Sequence, residues 1–120
     1  MKLFQWLIGR HSVRSTAMSR YKRGLARVAK RDPLGAMDAF TSAIELPNAP
    51  DDVKAMAMYN RALLLAGTGD AANAIADLNA VMTMPAALRS IKVAAKRRLD
   101  RMQRQKDSSA ITDVNAPAAN

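Results

Sequence analysis

The stretch AMSRYKRGLARVAKRD, beginning at Ala17, recurs with changes as AMAMYNRALLLAGTGD, beginning at Ala55. Set in register at a spacing of 38, the two give identities at Ala17/Ala55, Met18/Met56, Tyr21/Tyr59, Arg23/Arg61, Leu25/Leu63, Asp32/Asp70, Ala36/Ala74 and Pro47/Pro85. Similar residues add Gly24/Ala62, Met37/Ile75, Phe40/Leu78, Ala43/Val81 and Leu46/Met84. A fixed period of this size marks a stacked supersecondary unit. No other feature of the chain restricts the fold as much: the unit is present twice.

Each copy reads as two helices. In the first, Ala17, Tyr21, Leu25 and Val28 recur at helical spacing. RDP then ends that helix, with Asp32 placed to cap the next and Pro33 suited to its first turn. Ala36, Phe40, Ala43 and Leu46 give the second helix an apolar stripe. PNAPDD closes the unit, its proline and two acids suiting a helix start. In the second copy Met56, Tyr59, Leu63 and Ala66 mark one helix, GTGD the turn, and Ala74, Leu78 and Val81 the other, ending near Pro85. A fifth helix is expected over residues 86–105, with Leu88, Ile91, Ala95, Leu99 and Met102 on one face. The expected organisation is an N-terminal segment over 1–16, a helical domain over 17–106 and a disordered tail over 107–120. Five of the 120 residues are aromatic, and an Ala-, Leu- and Met-rich chain suits helices and not a β-sandwich. The expected fold class is all-α.

The helix pair resembles the tetratricopeptide repeat (TPR). Ala36-x-x-x-Phe40 and Ala74-x-x-x-Leu78 match the small-then-large pattern of that family's second helix, and Gly24 and Ala62 its small residue of close packing. The resemblance covers residues 17–85. It departs at Arg20 and Met58, where the family has Trp, at Arg23 and Arg61, where it has Leu, and at Arg27 and Leu65, where it has Tyr. It implies two antiparallel helix pairs in a short α-solenoid closed by a C-terminal capping helix. One pair cannot bury its apolar faces alone, and stacking a second copy on it does. The resemblance also implies a concave groove lined by the first helices, here Met18, Tyr21, Leu25, Val28, Met56, Tyr59, Leu63 and Ala66, with Asn60 nearby. Such a groove would hold a peptide or helix of another protein. The carboxylate grip of the family's chaperone-binding members is not expected, because Leu25 and Leu63 stand where a gripping Asn is needed. The same stripe could equally be core, or lie under the N-terminal segment.

Charge is laid out in blocks. Residues 1–31 carry nine Lys or Arg and no acid, residues 32–85 sum to −5, residues 86–106 to +7 and the tail to −2. Arg20, Arg23, Arg27, Lys30 and Arg31 recur as on one helix face, and Arg97 and Arg101 belong to a second basic helix. These faces could contact phosphates of nucleic acid or an anionic membrane, or simply be solvated. Nothing supplies base readout. There is no cysteine, His11 is the single histidine, and no phosphate-binding loop occurs. Neither an enzyme nor a metal or other cofactor is expected. The function expected is a non-catalytic adaptor or assembly factor that binds another protein, with a homodimer among the alternatives. Electrostatic binding of nucleic acid or membrane is the second reading.

MKLFQWLIG is too short to span a bilayer or to serve as a secretory leader, and the chain reads as cytoplasmic and uncleaved. Phe4, Trp6, Leu7 and Ile8 are nonetheless apolar enough to need a partner surface. The segment could cap the first repeat, dock in a groove of its own or a sister chain, or anchor in a membrane interface. A cap is the expectation, since two repeats are few.

Overall fold

The computed structural model describes the backbone of residues 2–115 and, within it, the side chains other than those of 4, 6–11 and 113–115. Every regular element in it is a helix: α1 (Lys2–Ala29), α2 (Pro33–Glu45), α3 (Asp51–Gly67), α4 (Ala71–Thr83) and α5 (Arg89–Asn115). Consecutive helices pack as neighbours, and α3 also touches α1 and α5. The repeat period holds in the boundaries: α2 and α4 start 38 residues apart, and so do α3 and α5.

The turns inside the two pairs are the same turn built from different residues. Arg31 and Gly69, again 38 apart, are left-handed, with φ of 58° and 88°. The amides of Asp32 and Asp70 then donate back to the carbonyls of Arg27 and Leu65, each at 2.9 Å. This is the usual way a helix closes its last carbonyls. The same two aspartates cap the next helix. An Asp32 carboxylate oxygen accepts from the Gly35 amide at 2.9 Å, and one of Asp70 from the Asn73 amide at 3.2 Å. Pro33 opens α2 and Pro50 precedes α3.

Two small cores follow, one per unit. Phe40 is buried with Ala36, Ala43, Ile44 and Ala57, and Leu78 with Ala55, Ala62, Ala74, Val81, Ala87 and Ala95. Gly24 on α1 faces Phe40 so closely that a Cβ there would stand 2.8 Å from the ring Cζ and closer to Cδ1 and Cε1. The second unit has Ala62 where the first has Gly24, and Leu78 where it has Phe40. Glycine pairs with the flat ring and alanine with the smaller aliphatic chain, so both interfaces fill without voids.

Several expectations change. Helix α1 begins at Lys2, not near residue 17, and runs unbroken through the boundary at 16/17. No proline interrupts residues 2–32, and a single Gly9 costs a helix only about 1 kcal/mol. The N-terminal segment is thus continuous with α1. The Phe4, Trp6, Leu7 and Ile8 side chains lie outside the described residues. At the other end α5 starts at Arg89, leaving Leu88 before it and 53% exposed, and continues to Asn115. Residues 107–115, expected to be disordered, are helical, because neither Gly nor Pro occurs between Gly69-Pro85 and Pro117 to stop the helix. Gln103 donates to Asp107 and Thr112 to the Ser108 carbonyl, each at 3.0 Å. Residues 116–120 lie outside the described residues.

The described chain extends over 78 × 30 × 19 Å. Among the described residues of α1 the first buried one is Ala17, and every described residue of α5 after Met102 is exposed. The end helices therefore run on past the two cores.

Candidate functional site

The first helices of the two pairs, α1 and α3, lie against one another. Two polar contacts fix their register. Arg14 grips Asp52 with both guanidinium nitrogens, at 3.2 and 2.7 Å. Hydrogen bonding from Arg14 holds the Asp52 carboxyl below its usual range, against the opposing push of partial burial. Further along, the Asn60 amide nitrogen donates to the Met56 carbonyl at 2.9 Å and reaches the Tyr21 hydroxyl at 3.5 Å.

The expected groove residues separate on this surface. Tyr21 tilts against Phe40, with ring centroids 6.0 Å apart, and joins the first core. Tyr59 and Ala66 join the second. These three are half-buried and hold helices together. Met18, Leu25 and Val28 on α1, and Met56 and Leu63 on α3, belong to neither core. Leu25 is 39% and Val28 44% exposed, while Met18, Met56 and Leu63 are half-buried. Met18 also borders a shallow hollow with Arg14, Ser15, Ser19 and Lys22. Asn60 sits between the helices, its amide already engaged.

The basic face on α1 is not one face. The Arg20 guanidinium turns inward and donates to the Ser42 carbonyl of α2 at 3.0 Å. Arg27 pairs with Asp32 at 3.2 Å. Lys30 and Arg31 lie beyond the end of α1, in the turn that Arg31 itself closes. Arg23, Arg97 and Arg101 are exposed, and the ion pairs of the described residues engage only Arg14, Arg27, Arg61 and Lys96.

Sequence reasoning missed the most constrained polar group. Asp77, in the middle of α4 where an acid is usually solvated, is 7% exposed. Its two oxygens accept from Arg61 Nε and Nη2, each at 2.7 Å, while Arg61 Nη1 donates to the Thr41 hydroxyl at 3.2 Å. One guanidinium thus ties α2, α3 and α4 together across the junction between the units. Donating to the Asp77 carboxylate raises the already high pKa of Arg61, so the guanidinium stays charged. Asp77 stands three residues after buried Ala74 and one before Leu78. That place within the stripe was the available signal. Asp38, also in the middle of a helix, is exposed.

Among the described residues no three His, Cys, Asp or Glu side chains come together as a metal site, and no helix is long and apolar enough to cross a membrane. Compared with known proteins, the chain matches no family model, no curated protein and no solved structure.

Proposed function

We propose that the chain is a short TPR-like helical array that binds another protein, without catalysis, along the face shared by α1 and α3. One observation carries the reading: the row of Met18, Leu25, Val28, Met56 and Leu63, which serves neither core yet is held in fixed register by Arg14–Asp52 and Tyr21–Asn60. Apolar side chains left out of a core and grouped on one face suit a partner surface. Methionine adds adaptability. The TPR resemblance supports the same face, since the family binds through its first helices. The test is capture from a lysate of the source cells with the tagged full chain and with Leu63→Asp. A partner retained by the first, lost by the second and insensitive to raised salt supports the reading. Equal capture by both chains contradicts it.

The exposed, unpaired bases Arg23, Arg97 and Arg101 favour a second reading, electrostatic binding to nucleic acid or an anionic membrane. Capture that falls steeply with salt and ignores Leu63→Asp selects it.

A further inference from the structure

The junction between the two units shows how this array seats a helix. Helix α4 lies on α3 and places Asp77 on Arg61, which reaches back to Thr41 of α2. Helix α5 begins in the register of a third first helix, so the same kind of junction lies between α4 and α5. Nothing fills it. The position equivalent to the turn residues Arg31 and Gly69 is Asp107, in a stretch without glycine, and α5 continues straight through it. The second helix of a third unit is therefore not formed.

What remains is a cleft of about 590 Å³ between α4 and the C-terminal half of α5. Its apolar lining includes Ile75, Leu99 and Met102. Ile75 is 37% exposed, and Met82, further along α4, is 36% exposed. Their counterparts on α2, Met37 and Ile44, are half-buried and buried under α3. Arg98 and Lys106 border the cleft, and the Arg98 Nε is buried without a hydrogen-bond partner. A buried donor left unpaired is costly, and an incoming acceptor would relieve it. The one acid on the lining, Asp100, faces Lys96 at 3.5 Å. The helix that supplies this wall is basic, with eight Lys or Arg against that single acid over residues 89–106, and two of the eight, Arg98 and Lys106, line the cleft.

We propose that this cleft docks an acidic amphipathic helix of a partner protein. Its apolar stripe lies on Ile75, Leu99 and Met102, and one carboxylate reaches Arg98, since the place that Arg61 holds on α3 is taken on α5 by Leu99. The surface is separate from the α1–α3 face, and it stands or falls independently of it.

The test is fluorescence anisotropy with the full chain and two fluorescein-labelled peptides at physiological salt. One carries Leu on one helical face and Glu on the other; the second is a scramble of the same composition. The amphipathic peptide should bind saturably and the scramble about tenfold more weakly. Arg98→Gln should cost about tenfold, as loss of a charge-assisted bond does. Ile75→Ser, at an exposed position that does not threaten folding, should weaken binding as well. Leu63→Asp should leave it unchanged, which separates failure here from failure of the α1–α3 reading. Equal affinity for both peptides would reduce the effect to bulk charge and overturn the proposal. So would wild-type affinity in Arg98→Gln and Ile75→Ser, or light scattering that finds a stable dimer closing the cleft with a second copy.

Discussion

Replacing Gly24 by alanine should have opposite signs in two backgrounds. In a helix interior the change ordinarily stabilises by about 0.5–1 kcal/mol, through propensity and a less flexible unfolded chain. Here the new methyl lands on the Phe40 ring, 2.8 Å from Cζ and closer to two other ring carbons. Phe40 is fully buried among Ala36, Ala43, Ile44 and Ala57. Overpacking of that kind costs about 1–3 kcal/mol, and a rigid ring held on all sides belongs at the upper end. Gly24→Ala should therefore destabilise by about 1–2 kcal/mol, a fall of roughly 4–8 °C in Tm at ~4 °C per kcal/mol for a chain of this size. With Phe40→Leu in place the first unit acquires the Leu78 geometry of the second, where Ala62 already fits. In that background the same alanine should stabilise by about 0.5–1 kcal/mol, giving a coupling of about 1.5–3 kcal/mol in the double-mutant cycle. Urea melts of the four proteins, followed by helical circular dichroism, measure it. An alanine that stabilises equally in both backgrounds would refute the pairing of glycine with ring and alanine with leucine.

Three further outcomes follow from the turns and ion pairs. Arg31→Gly should raise stability by up to about 1 kcal/mol, because φ of 58° strains any residue with a Cβ, while Gly69→Ala should lower it by a similar amount; chemical melts check both. Asp77→Ala leaves the Arg61 guanidinium largely buried without its partner and should cost ~2–4 kcal/mol, whereas Arg61→Leu with Asp77→Leu should recover most of it. Asp52 has its pKa lowered in the folded state, so its pairing with Arg14 stabilises above the unfolded value and is lost as pH falls through the folded one. Asp52→Asn should accordingly flatten the acid limb of a stability–pH curve below roughly pH 4, with little change in the slope near neutrality.

Much of the fold was legible because local chemistry repeats along the chain. Asp32 and Asp70 cap where their position before an apolar stripe predicts, and Gly24 with Phe40 and Ala62 with Leu78 announce close helix contact before any coordinate is known. The ends were not legible. Whether α1 begins at residue 2 or 17 depends on the absence of a breaker, and an absence leaves no periodic mark. Helix α5 overruns for the same reason. On the candidate surface, spacing places Tyr21 and Leu25 on related arcs of one helix but cannot say which of them meets Phe40. The tyrosine does, and the leucine stays out. The ion pair of Arg61 escaped because an acid in the middle of a helix is usually solvated, and its partner lies 16 residues away on another helix.

The most direct measurement is site-specific photo-crosslinking in the source cells. A photoreactive residue replaces Leu63, on the α1–α3 face, in one version of the chain. In the other it replaces Leu34, which is 80% exposed on α2 and outside both cores. Binding along the α1–α3 face predicts one dominant protein adduct from position 63, persisting at high salt and absent from position 34. The same adducts from both positions, or adducts to nucleic acid or lipid alone, would contradict it.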